Sequence, residues 1–147
     1  MVGLGGVLLW SVALCFYDVA FRRLPDWLTV PAGVVAIATA VILNPHALVG
    51  AIWPFLYLCV AWRAGGIGGG DIKLAVPLGI WVAWHTGVFG TIIAMALASA
   101  FTVCALLCAR PLRGSSSGAH GPAMLLGAWT VVGVELLKTS GGAFSMG

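Results

Sequence analysis

Two stretches of 36 consecutive residues, 27–62 and 74–109, contain no Asp, Glu, Lys or Arg. No other feature limits the possible folds as tightly. A soluble domain is about 25% charged, whereas this chain is 7% charged and 61% hydrophobic, with a mean hydropathy of +1.10. A chain of 147 residues has too small an interior to hide that much apolar surface from water. Lipid must therefore be the solvent for most of it.

A membrane-crossing helix takes about 20 residues, roughly 17–25. Each 36-residue run is too long for one such helix and suits two joined by a tight turn. Asn44-Pro45-His46 breaks the first run, and His85-Thr86-Gly87 breaks the second. Residues 1–17 and 114–134 are also free of charge and supply one helix each. The pattern predicts an all-α, polytopic membrane protein with six helices, near 3–21, 27–43, 47–63, 71–86, 89–109 and 122–138, in a single membrane-embedded domain spanning 1–147. In the first apolar run the positive charges follow rather than precede, the wrong order for a secretory signal, so it reads as a retained helix.

Basic residues set the orientation. Arg22, Arg23, Arg63, Arg110 and Arg113 fall in the first, third and fifth connections, while the other face holds only Lys138. Cytoplasmic loops carry excess Lys and Arg, so both termini are expected outside and the three basic loops in the cytoplasm. The net charge of +3 is thus mostly a topology signal, and its dispersal over short loops argues against nucleic-acid binding. Cys15, Cys59, Cys104 and Cys108 lie inside predicted helices with no CxxC spacing, which reads as core packing rather than a metal site.

Two carboxylates stand out. Asp18 closes the first apolar run, and a carboxylate near the end of a membrane helix is costly without a partner or water. The plainer reading pairs it with Arg22, one helical turn on. Asp71 ends Gly65-Gly66-Ile67-Gly68-Gly69-Gly70-Asp71, just where the fourth helix begins. Such a glycine run allows close backbone approach and suits an extended substrate lying along the main chain. The plainer reading is a flexible turn with Asp71 capping the helix. The run is no P-loop, because Asp rather than Gly-Lys-Ser/Thr follows it, and a dinucleotide fold would need a βαβ setting. With the derived topology, Asp18 and Asp71 fall at similar depth near the cytoplasmic face. Two carboxylates sharing a low-dielectric site cannot easily both ionise, so their titration belongs to the pair. In aspartic proteases one such acid polarises the carbonyl and the other activates water.

Gly68-Gly69-Gly70-Asp71 resembles the GxGD motif of intramembrane aspartyl proteases. Asp18, followed by Arg22-Arg23-Leu24-Pro25-Asp26, is similar to the first-aspartate segment of the prepilin peptidases, where an aspartate precedes Arg, any residue, Ile, Pro and Asn or Asp. Gly70-Asp71-Ile72-Lys73-Leu74 fits that family's GxGDxK extension, and His120-Gly121-Pro122-Ala123-Met124-Leu125-Leu126-Gly127 resembles its later Phe-Gly-Pro-Phe-Leu-Ala-Leu-Gly segment. The resemblance implies an aspartic endopeptidase in the cell membrane that removes the short basic leader of type IV prepilins, pseudopilins or Flp-type pilins. It cuts after a glycine at the cytoplasmic face, without a cofactor or metal. The catalytic residues would be Asp18 and Asp71, with Gly68, Gly69, Gly70 and Lys73 in the active-site loop. Arg22, Arg23, Pro25, Gly121 and Pro122 would support the site or the substrate. Larger members carry a cytoplasmic insert with paired CxxC motifs and methylate the new N-terminus. Here the first loop spans only about 22–26, so a peptidase without methyltransferase activity is expected. Leu24 replaces the usual Ile, and His120 stands where the family often has Phe.

The remaining polar residues have simpler readings. Asp26, after Pro25, suits an N-cap of the second helix. Lys73 could tune the aspartates, hold substrate or bind lipid headgroups. His46 and His85 fall in outer turns facing solvent, Glu135 and Lys138 form a pair three residues apart, and the tryptophans belong to interfacial belts or packing. Two alternatives stay open. The presenilin and signal-peptide-peptidase branch also has Tyr-Asp and GxGD, met here by Tyr17-Asp18, but carries Pro-Ala-Leu where this chain has Pro122-Ala123-Met124. A small proton-coupled transporter or channel could use the same carboxylates.

Overall fold

The computed structural model describes residues 2–64, 66–109 and 120–144. Arg110 and Arg113 of the expected fifth connection, and Gly65 of the glycine run, lie outside the described residues. The described elements are all helical: α1 (Val2–Phe21), α2 (Asp26–Leu43), a 3₁₀ segment (Pro45–Ala51), α3 (Ile52–Ala64), α4 (Gly69–Ala109) and α5 (Gly121–Phe144). Five stretches are long and apolar enough to cross a bilayer, the 3₁₀ segment and α3 counting as one and residues 69–108 as the longest. The chain is an all-helical membrane protein. Large apolar side chains such as Leu9, Phe16, Ile42, Trp62 and Leu137 cover its outer surface, as a bilayer solvent requires.

The two expected chain breaks occur. Asn44 leaves the helical region at φ −152°, ψ 80°, and Pro45 opens the 3₁₀ segment. Gly87, at φ 67° and ψ −162°, interrupts α4 with a left-handed backbone that only glycine adopts without strain. The chain folds back there. Asp71 and Thr102 line one cavity, yet in a straight helix they would stand about 46 Å apart. The two halves of α4 flank α5: Trp81 packs on Trp129 with ring centroids 4.8 Å apart, and Ala94 and Ala98 lie against Gly127.

Leu14, Trp53, Leu74, Leu78, Val82, Met124 and Val132 fill the centre with no more than 1% exposure. Small residues let the helices approach, as membrane packing favours. At Gly50 and Gly79 the two backbones touch, so a Cβ on either would collide with the other. α1 and α5 run antiparallel, joined midway along α1 by Trp129 Nε1 donating to Ser11 Oγ at 3.0 Å, and near its end by Gly121 N donating to Asp18 at 2.9 Å.

Several sequence expectations are corrected. Asp26 is not an N-cap: Pro25 holds the extended cap position, and no side chain caps the helix. The Asp26 carboxylate instead accepts from Lys73 Nζ at 2.7 Å, because an ammonium group within reach is a better partner than main-chain amides. Cys15 is half-buried and packs against the core as expected, but Cys59, Cys104 and Cys108 are exposed and take no part in it. His46 is exposed as expected, but His85 is partly buried with its ring edge-on to Trp81. Glu135 and Lys138 do pair, at 3.5 Å.

Candidate active site

Asp18 lies in the last turn of α1 and is buried, at 6% exposure. The helix ends three residues later because Arg22 turns left-handed, φ 51°, and its amide closes onto the Asp18 carbonyl at 2.9 Å. This is an αL helix stop, made here by a residue other than glycine. Residues 22–25 then carry the chain to α2. Within this link Leu24 wedges between two glycines, its Cβ 3.1 Å from where a Gly70 Cβ would stand and its Cδ2 3.5 Å from one on Gly121. One side chain thus holds the Asp18 segment, the glycine run and the start of α5 together.

Asp71 sits on the first turn of α4, which begins at Gly69 rather than at Asp71. Asp71 is therefore inside the helix and does not cap it from outside. Its amide bonds Gly68 O at 3.0 Å, and its Oδ2 lies 3.4 Å from where a Gly68 Cβ would be. A carboxylate in the first turn suits the positive end of the helix dipole.

The third element is the start of α5. Gly121 N donates to Asp18 Oδ2 at 2.9 Å, and a Cβ on Gly121 would stand 2.8 Å from that oxygen, so only glycine permits this approach. Pro122 follows in the first turn, where its missing N–H leaves no helix bond unmade. His120 stands just before the helix, and its carbonyl accepts from Met124 N. Its ring is held on both sides, with Nε2 2.9 Å from Tyr57 Oη and Nδ1 2.6 Å from Thr102 Oγ1. Tyr57 and Thr102 carried no sequence signal, each being one polar residue within a long apolar run.

These pieces enclose a cavity of about 640 Å³ lined by Asp18, Arg22, Arg23, Asp26, the 66–71 segment, Thr102 and His120. It unites both flagged aspartates with Gly68, Gly69 and Gly70. Lys73 meets it only through Asp26, and Gly121 only through its bond to Asp18. The plainer reading of Asp18, a pair with Arg22, does not hold: among the described residues the ion pairs are Lys73–Asp26 and Lys138–Glu135. The cavity is thus lined by three carboxylates, of which Asp26 is taken up by Lys73, together with an imidazole, and it leaves open room for an extended chain.

Fold and cavity define a helical membrane protein with a polar pocket at the helix ends. Residues 6–103 match the type IV leader peptidase family, well over half of the 147-residue chain. The chain belongs to the type IV leader peptidase family, and is a peptidase and hydrolase of the prepilin type. No curated protein and no solved structure matches it. The family match includes Asp18 and Asp71 and stops short of His120.

Proposed function

We propose that this chain is a prepilin leader peptidase whose catalytic pair is Asp18 and Asp71. The observation that carries the reading is the shared cavity: carboxylates 53 positions apart in sequence line one pocket, beside a glycine run that can take an extended substrate. In the proposed reaction one carboxylate takes a proton from water as the water oxygen attacks the scissile carbonyl carbon. The other, protonated, donates to the carbonyl oxygen. The tetrahedral adduct then collapses, the C–N bond breaks, and the leaving nitrogen takes up a proton. The Gly121 amide occupies Asp18 Oδ2, which leaves Oδ1 for water or substrate. Gly68, Gly69 and Gly70 form the substrate-side wall, and Arg22 and Arg23 stand at its edge.

The finer topology belongs to the same proposal. The reversal at Gly87 makes two crossings of α4, giving six spans. With Arg22, Arg23 and Arg63 in the cytoplasm, the cavity opens there and both termini lie outside. The link between α1 and α2 is residues 22–25, too short for a methyltransferase insert, so the product is a mature pilin with a free N-terminal amine. The substrate is a prepilin, pseudopilin or Flp-type pilin, met in the bilayer. Co-expression with a prepilin in a host lacking leader peptidase and methylase tests this by mass spectrometry. Leader loss with an unmodified amine is expected, whereas an uncut prepilin contradicts the peptidase reading and an added methyl group contradicts the single-activity reading.

A further inference from the structure

His120 is partly buried and held in a complete hydrogen-bond chain, and the direction of that chain can be read from its members. Thr102 has one hydroxyl proton, which goes to Ala98 O, four residues back on its helix, at 2.9 Å. The 2.6 Å contact between Thr102 Oγ1 and His120 Nδ1 then needs a proton on Nδ1. A neutral imidazole protonated there leaves Nε2 as an acceptor, and Tyr57 O–H, 2.9 Å away, donates to it. Every polar atom of the ring is thereby satisfied in its neutral form. Tyr57 comes from α3, Thr102 from the second half of α4, and His120 leads directly into Gly121, whose N–H reaches Asp18 Oδ2 on α1.

We infer that His120, fixed as the Nδ1–H tautomer between Tyr57 and Thr102, is a positioning residue for Asp18, acting through the Gly121 amide. The inference rests on the proposal that Asp18 is catalytic. Its physical basis is the tight fit at Gly121, where the donor lies 2.9 Å from the carboxylate and a single added carbon would sit at 2.8 Å. A peptide held so closely can aim the carboxylate only if its own position is fixed. The residue before it is clamped from two other helical segments. Neither Tyr57 nor Thr102 touches Asp18 in a hydrogen bond, so both act through the ring.

The test uses the full chain in lipid vesicles, with a synthetic prepilin peptide whose basic leader ends in glycine. His120→Phe keeps an aromatic ring and removes both ring nitrogens. It is expected to lower kcat by about 100-fold, the scale of a misplaced catalytic group, with KM changed less than about threefold. Thr102→Ser, which keeps the hydroxyl, should exceed Thr102→Val in kcat by on the order of tenfold. A His120→Phe kcat within about twofold of the parent, or a change in KM alone, overturns the inference. Asp18→Asn separates the two layers. If it still cleaves, the catalytic assignment fails. If it is dead while His120→Phe is unaffected, only the positioning role fails. Nitrogen-15 NMR of the histidine-labelled parent chain supplies a readout independent of folding in the variants, with His46→Asn and His85→Asn isolating the His120 signals. The expected spectrum has Nδ1 protonated and Nε2 bare. The opposite tautomer, or a doubly protonated ring at neutral pH, contradicts it.

Discussion

Segments of α1, α2 and α4 line two cavities of this bundle, which differ in chemistry more than in shape. One, about 360 Å³, lies among helix bodies between Gly6, Trp10, Val35, Thr39, Pro77 and Trp84. Its only side-chain hydroxyl, that of Thr39, is spent on the backbone of its own helix, bonding Val35 O at 2.8 Å. The other, about 640 Å³, lies where the chain enters and leaves helices and holds Asp18, Asp71 and His120. The difference follows from the solvent. Within a helix body in lipid every amide is already paired, so helix bodies provide shape and little else. The first four amides of each helix have no internal partner, and helix ends are where glycine turns and charges are tolerated. Asp18 uses one such amide, that of Gly121.

The sharpest way to break this contrast is at Gly121. Gly121→Ala puts a methyl carbon where the Asp18 carboxylate lies, and should cut cleavage about 100-fold while the protein still inserts in membranes. A rate near the parent's, read by leader removal from a prepilin, would mean that the α5 amide plays no part in the site. A smaller effect is expected at the rim. Asp26 and Lys73 form a half-exposed ion pair, worth about 1 kcal/mol or less. Asp26→Asn or Lys73→Met should therefore slow cleavage by less than about fivefold. A dead Asp26→Asn with intact insertion would show that this carboxylate, and not one of the other two, is the acid that matters. The smallest effect belongs to the apolar cavity. Gly6→Leu enters open space there and should leave cleavage within about twofold, as for substitutions away from any constrained feature. A large loss would mean that the apolar cavity also receives substrate.

The helices and their breaks were legible because lipid imposes them. The charge-free runs, Asn44-Pro45 and Gly87 each follow from backbone rules that hold whatever the neighbours are. The two aspartates were legible for the same reason, since a carboxylate in such a chain needs an explanation. The Asp26–Lys73 pair was not, because its members are 47 positions apart and the N-cap rule gave Asp26 a sufficient local role. Three of the cysteines, Cys59, Cys104 and Cys108, were misread for a reason particular to membranes. In water an apolar side chain implies an inward face, but in lipid both faces are apolar, so pattern cannot tell Cys59 outside from Tyr57 inside. The clamp on His120 was hidden likewise, since its two partners come from 63 and 18 positions away.

The central claim is that Asp18 and Asp71 act as one unit across one cavity. The most direct test measures leader cleavage by Asp18→Asn, Asp71→Asn and the double variant, all in the membrane and at equal abundance. Asn keeps size and hydrogen bonding but cannot titrate, so each single variant should fall to background and the double should be no worse than either. Measurable cleavage by either single variant, or losses that multiply in the double, would contradict the account.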